Sequence, residues 1–124
     1  MSATGQIKVS VIIPFYGVEK YIEQCLESVT RQTLREIEII CIDDASPDDS
    51  ATIVRRFAAT DQRIRLIRNP VNRGVSVARN LGLSAARGDY LYVIDSDDFL
   101  HPEAIGKLHA KATQDDLDLV FSDA

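Results

Sequence analysis

Cysteine, histidine and long apolar runs are all scarce in this chain, and each scarcity removes a class of function. Of 124 residues, two are cysteine and two are histidine. Cys25 and Cys41 lie inside apolar periodic segments and form no CxxC pair, so they read as buried, reduced thiols rather than as a disulfide or a metal site. No apolar run approaches the roughly 20 residues needed to cross a bilayer. The opening MSATGQIKVS lacks the basic and apolar segments of a signal peptide, so the expectation is a soluble, cytoplasmic chain. Basic residues number 14 against 19 acidic ones, giving a formal net charge of -5, which argues against the basic stripe of a nucleic-acid binder. A polyanionic ligand stays open, because a divalent cation inverts the local field. There is no internal repeat, low-complexity segment or linker, and the length suits one domain with one core.

What the chain has instead is alternation. KVSVIIPFY (8–16) is a β-branched run, and Pro14 is expected to stop the first strand at about residue 13. Tyr21, Ile22, Cys25, Leu26 and Val29 then recur at helical spacing over 19–31. EIEIICI (36–42) reads as a second strand buried on both faces. DDASPDDS (43–50) is a turn rich in helix-capping residues, followed by a helix with Ile53, Val54 and Phe57 on one face. RIRLIRN (63–69) alternates like a strand with one solvated side. NPVNRG leads into a helix over 75–86 with a small-residue face of Ala78, Gly82 and Ala85. DYLYVID (89–95) is a fourth strand, Pro102 opens a helix over 102–113, and LDLVFSD (117–123) reads as a fifth strand. Strands alternating with helices imply an α/β protein with a mostly parallel, Rossmann-like sheet and right-handed crossovers. Ligands in such sheets bind beyond the carboxyl ends of the strands. Three of those ends carry unusual residues, Pro14-Phe15-Tyr16, Asp43-Asp44 and Asp95-Ser96-Asp97-Asp98, and successive strands bring them toward one cleft.

The chemistry of each cluster has two readings. Asp95 and Asp97 are two apart and can face the same way, and paired carboxylates suit a hard cation such as Mg²⁺ or Mn²⁺ with positions left for phosphate oxygens. The competing reading is a capping turn before the next helix. Asp43 and Asp44 can accept hydrogen bonds from a base or ribose, or can cap a helix, a role that Ser46, Asp48 or Ser50 can fill instead. Arg79 is favoured for a phosphate or acidic partner, and Arg73 for a solvated charge. Tyr16 reads equally as a base-stacking ring or a core aromatic. His101 reads as a loop histidine, and His109 carries no assignment.

Taken together, VSVIIPFYGVEKYIEQCLESVTRQTL, EIICIDDASPDDS, NPVNRGVSVARNLGLSAARGDYLYVIDSDDFLHPEAI and DLVFSDA resemble the nucleotide-sugar half of family-2 glycosyltransferases of the GT-A fold, in the family's order and over nearly the whole chain. The resemblance implies a truncated three-layer α/β/α sandwich. It assigns Pro14, Phe15 and Tyr16 to a base pocket, Asp44 ahead of Asp43 to the uracil or ribose, and Arg79 to the diphosphate. Asp95-Ser96-Asp97 corresponds to the DxD motif, with Asp97 on Mn²⁺ or Mg²⁺ and Asp95 toward the sugar and ribose. UDP is the nucleotide that family habit favours, with GDP or dTDP as alternatives.

Two departures from the family stand out. Gly17 replaces the usual Asn after the tyrosine, which keeps the turn's backbone angles and removes a side-chain hydrogen bond. The second half of a family-2 domain, with its acceptor site and general base, is not in the sequence, and Asp98 and Asp123 are poor substitutes for that base. The chain is therefore expected to bind a donor without turnover, and to self-associate through exposed edges. Membrane association and a glycan or lipid acceptor belong to a longer protein. A phospho-receiver domain fails on position, since Pro14-Phe15-Tyr16 stands where its acidic pair belongs. A non-catalytic nucleotide-sugar binding or assembly module keeps the same donor residues and remains the rival reading.

Overall fold

A computed structural model describes residues 6–115. Four strands, β1 (Val9–Phe15), β2 (Ile37–Asp43), β3 (Ile64–Arg68) and β4 (Tyr90–Val93), alternate with four helices, α1 (Ile22–Thr30), α2 (Ser50–Thr60), α3 (Val75–Ala85) and α4 (Ala104–Gln114). The sheet is wholly parallel with order β3-β2-β1-β4. The fifth strand expected at 117–123 lies outside the described residues.

Period-two alternation sorts the side chains into two layers of unequal depth. One face carries Val11, Ile13, Ile39, Cys41 and Tyr92, and packs on Ile22, Cys25, Leu26 and Val29 of α1, Val54 of α2 and Ile105 of α4. The other carries Ile12, Ile40 and Ile42, and packs on Ala78 of α3. Gly82 permits that close approach. A Cβ there would lie 2.5 Å from Ile12 Cγ2 and 2.7 Å from Ile42 Cδ1. β1 and β2 are buried along their whole lengths, as central strands covered on both sides should be.

Pro14 does not end β1, which continues to Phe15 opposite Asp43. The reason is the direction of its missing N–H. The Ile12 carbonyl accepts from Ile94 N–H, so even-numbered positions of β1 address the β4 side, while the Phe15 carbonyl accepts from Asp44 N–H on the β2 side. β4 pairs with β1 only through Ile12, so Pro14 falls where no neighbour asks for a donor.

At the amino end of the sheet a polar network fixes the α3–β4 connection. Ser10 Oγ donates to Glu38 Oε2 at 2.5 Å, Arg87 N–H donates to the same oxygen at 2.6 Å, and Gly88 N–H donates to Ser10 Oγ at 2.8 Å. At the start of α4, the buried side chain of Gln32 accepts from Ile105 N–H at 2.9 Å and donates to the carbonyls of His101 and Ser28 at 2.7 and 3.0 Å. One glutamine thus satisfies an orphan donor of the helix and anchors the loop that follows β4.

Candidate functional site

The carboxyl ends of β1, β2 and β4 border one cleft of about 290 Å³. Pro14, Phe15, Tyr16 and Val18 supply one wall, Asp44 the back, Val75 and Ala78 of α3 another side, and Asp95, Ser96 and Asp97 the rim. The expected convergence of three strand ends is therefore present in the fold. A larger groove of about 870 Å³ lies at the opposite end of the sheet, but three of its arginines, Arg35, Arg63 and Arg65, are engaged by neighbours. Arg63 is held by Asp61 and the Thr30 carbonyl, and Arg65 by Glu38 and the Ala85 carbonyl.

The wall at β1 depends on the loop after β2. Gly17, at φ +61°, occupies the left-handed region that glycine tolerates, and its N–H donates to Ser46 Oγ at 3.0 Å. Val18 N–H donates to Ser50 Oγ, and Glu19 N–H donates to Asp48 Oδ2. Ser46 and Asp48 thus brace the Tyr16 loop. α2 itself starts after Asp49, with no side-chain cap. Tyr16 is left half-exposed beside the cleft rather than packed in the core.

Asp43 and Asp44 are neighbours in sequence and belong to opposite faces. Asp43 is fully buried; its Oδ1 accepts from Ser46 N–H and its Oδ2 from Arg68 Nε at 3.1 Å. It holds a turn and does not line the cleft. Asp44 does line it, as the next register pair after Asp43 and Arg68 places it beside Asn69. Its Oδ1 accepts from Asn69 Nδ2 at 3.1 Å and Arg73 N–H at 2.9 Å, and its Oδ2 from Gly74 N–H at 2.8 Å. Burial alone would push this carboxyl up, but hydrogen bonds from Arg73, Asn69 and Gly74, together with the Arg73 charge, hold it below the usual carboxylate range. It presents an ionised acceptor.

Asp95, Asp97 and Asp98 form the acidic rim, with one carboxylate oxygen from each lying within 4.8 Å of the others. A tight turn closed by Asp98 N–H on the Asp95 carbonyl at 3.0 Å brings them together. Asp95 and Asp97 are exposed and Asp98 is half-buried. Burial and the charges of Asp97 and Asp95 raise the Asp98 carboxyl. Three oxygen donors with two of them open to solvent fit a hard divalent cation that keeps positions free for ligand oxygens. Beneath the rim, Cys25 Sγ lies 3.9 Å from the Asp95 carbonyl. Burial, then the charges of Asp98, Asp97 and Asp95, push its thiol up to about 12, so it stays protonated and inert.

Not every expected residue reaches the cleft. Arg79 is exposed on α3 and is absent from the lining, where Val75 and Ala78 stand instead. His101 is exposed and accepts from Glu103 N–H. Reading the sequence overlooked Asn69, Gly74 and the backbone of Arg73, and it placed Asp98 in the acidic cluster without naming it among the cation ligands. A signal for Asn69 was present, since continuing the β3 alternation from Arg65 and Ile67 places it on the Asp44 face.

A family model described as Glycosyl transferase family 2 matches residues 10–123. Over 112 residues the chain is 46% identical to the glycosyltransferase EpsJ of Bacillus subtilis, covering 90% of this chain and 32% of EpsJ. The crystal structure of S. aureus TarS in complex with UDP superposes with a TM-score of 0.82 at 31% identity, covering 87% of this chain and 32% of that one. The mannosyltransferase PcManGT of Pyrobaculum calidifontis, in complex with GDP-Man and Mn²⁺, superposes with a TM-score of 0.70 at 30% identity, covering 76% of this chain and 28% of that one. The chain spans about a third of the length of these relatives.

Proposed function

The chain belongs to glycosyl transferase family 2, and from that premise we propose that it is the donor-binding part of a glycosyltransferase, holding a nucleotide-diphosphate sugar through a divalent cation for inverting transfer to an acceptor hydroxyl. The observation that carries this reading is the meeting, in one cleft, of an exposed aromatic ring, an ionised buried acceptor and the Asp95 and Asp97 carboxylates, with Asp98 grouped beside them. Tyr16 stacks on the base and Asp44 accepts from its edge. Asp97 and Asp95, joined by Asp98, hold Mn²⁺ or Mg²⁺, with Asp95 and Ser96 toward the sugar and ribose. When bound, such a cation neutralises the diphosphate and stabilises it as a leaving group. UDP is the nucleotide we favour, supported by the UDP complex of TarS, while the GDP-Man complex of PcManGT keeps a guanine donor in play.

Arg79, exposed and next in sequence to the cleft-lining Ala78, is assigned to the diphosphate. We assign the general base and the acceptor site to sequence that the longer relatives have and this chain does not span, and we expect no turnover from the chain alone. Asp97 is exposed, so its loss should leave the fold intact. Calorimetric titration of UDP with Mn²⁺ present should therefore show binding to the unsubstituted chain and none to Asp97→Ala, with unchanged thermal unfolding. Equal metal-dependent UDP affinity in the two proteins would sink the metal assignment.

A further inference from the structure

The Asp44 carboxylate has four acceptor positions, and the protein fills three of them. Two of those bonds come from backbone N–H groups, at Arg73 and Gly74, that the turn before α3 supplies whatever its side chains are. The third comes from a side chain, Asn69, which is buried and whose own N–H is fixed on the Asp43 carbonyl at 2.9 Å. With Oδ1 doubly occupied, the carboxylate cannot rotate without breaking a bond at each end. The remaining lone pair lies on Oδ2, on a residue that lines the cleft.

Resting on the reading of Asp44 as the base-recognising acceptor, we propose that Asn69 is the positioning residue for base selection. Its side-chain amide fixes the Asp44 carboxylate so that the free Oδ2 lone pair meets a ring N–H of the incoming base. An ionised, immobile acceptor discriminates by chemistry. Uracil, thymine and guanine present a ring N–H on the pairing edge, whereas cytosine and adenine present a lone pair there, which the carboxylate repels. Loosening the carboxylate blunts that discrimination, because a rotated oxygen no longer meets the N–H in line and water takes its place. A residue that merely supported the fold would weaken all nucleotides alike.

The test compares UDP with CDP, which differ at that edge, in the presence of Mn²⁺. Both are titrated calorimetrically into the full chain and into Asn69→Ala, Asn69→Asp and Asp44→Asn, alongside Mn²⁺ alone. Hydrogen bonds to a charged group are worth roughly tenfold or more in affinity. Asn69→Ala should lower UDP affinity by roughly that factor, leave CDP binding no weaker and Mn²⁺ binding unchanged, and so collapse the UDP-to-CDP ratio. Asn69→Asp keeps the shape, replaces the donor by a like charge, and should collapse the ratio at least as far; it decides the matter if Asn69→Ala does not fold. Parallel losses of UDP and CDP, or an unchanged ratio in the Asn69 variants, would overturn the positioning role. If the ratio collapses in Asp44→Asn but not in the Asn69 variants, only Asn69 is wrongly assigned. If Asp44→Asn itself leaves the ratio unchanged, the base-recognition reading falls and this proposal with it.

Discussion

Two adjacent aspartates, Asp43 and Asp44, show how the two-residue period of a strand assigns chemistry. One step along β2 separates a carboxylate locked on Arg68 and a turn N–H from one that faces the cleft. The preference for Asp44 came from the family pattern; of the two aspartates, Asp44 lines the cleft and Asp43 does not. Asp61 is a purely structural counterpart. Its carboxylate accepts from Arg63 Nη2, Nε and N–H at 2.7, 2.9 and 3.0 Å, and the Arg63 side-chain bonds lead in holding it below the usual carboxylate range. A depressed folded value means that the stabilisation is fully present above the unfolded carboxylate range and is lost as pH falls through the folded value. We expect Asp61→Asn to cost about 1–3 kcal/mol near neutral pH. In denaturant titrations the gap to the unsubstituted chain should close progressively below about pH 4. A gap that stays constant down to about pH 2 would show that the charge is not its source.

Among the elements, existence and order were legible while several ends were not. The apolar runs and helical spacing located all four described strands and helices, because each carries a strong burial pattern. The ends went astray where a long-range partner decides them. β1 runs through Pro14 because β4 has already turned away, a fact about a strand some eighty residues later in the chain. Ser46 and Asp48 were read as possible caps for α2; Ser46 serves the Tyr16 loop, and Asp48 serves both, accepting from Glu19 N–H and from Ser50 N–H at the helix start. Gln32 left no local mark of importance, since it matters through its contacts with the distant His101 and Ile105, and Asn69 was marked only by the β3 alternation. Gln32→Ala would leave the buried Ile105 N–H without its acceptor and remove one of two donors from the His101 carbonyl, which keeps Ala104 N–H, and should cost about 1–3 kcal/mol. Hydrogen exchange should show the Ile105 amide losing protection while β1 and β2 amides keep theirs relative to global stability. Unaltered protection at Ile105 would mean that another acceptor replaces the glutamine.

For the whole molecule, alternation alone indicated a mostly parallel α/β sheet, and the three-layer GT-A architecture was legible through the family resemblance. Packing added the imbalance between layers, with three helices on one face of the sheet and, among the described residues, α3 alone on the other. Val75, Val77 and Leu81 of α3, and Val71 before it, are exposed, and β4 has an open edge among the described residues. No helix among the described residues is long and apolar enough to cross a membrane. The proposed metal-binding and base-binding roles could not be read from the sequence without the family, because clustered aspartates at a strand end satisfy a turn as readily as an ion.

The most direct measurement is thermal unfolding of the chain with UDP, GDP and dTDP, each with and without Mn²⁺. A ligand at about 100 times its dissociation constant adds roughly 2.7 kcal/mol, which in a domain of this size raises Tm by roughly 10 °C. We expect that shift with UDP only when Mn²⁺ is present, and little from either alone. A cooperative transition that stays in place under every combination, or that moves equally with and without Mn²⁺, would contradict a metal-dependent donor site in this cleft.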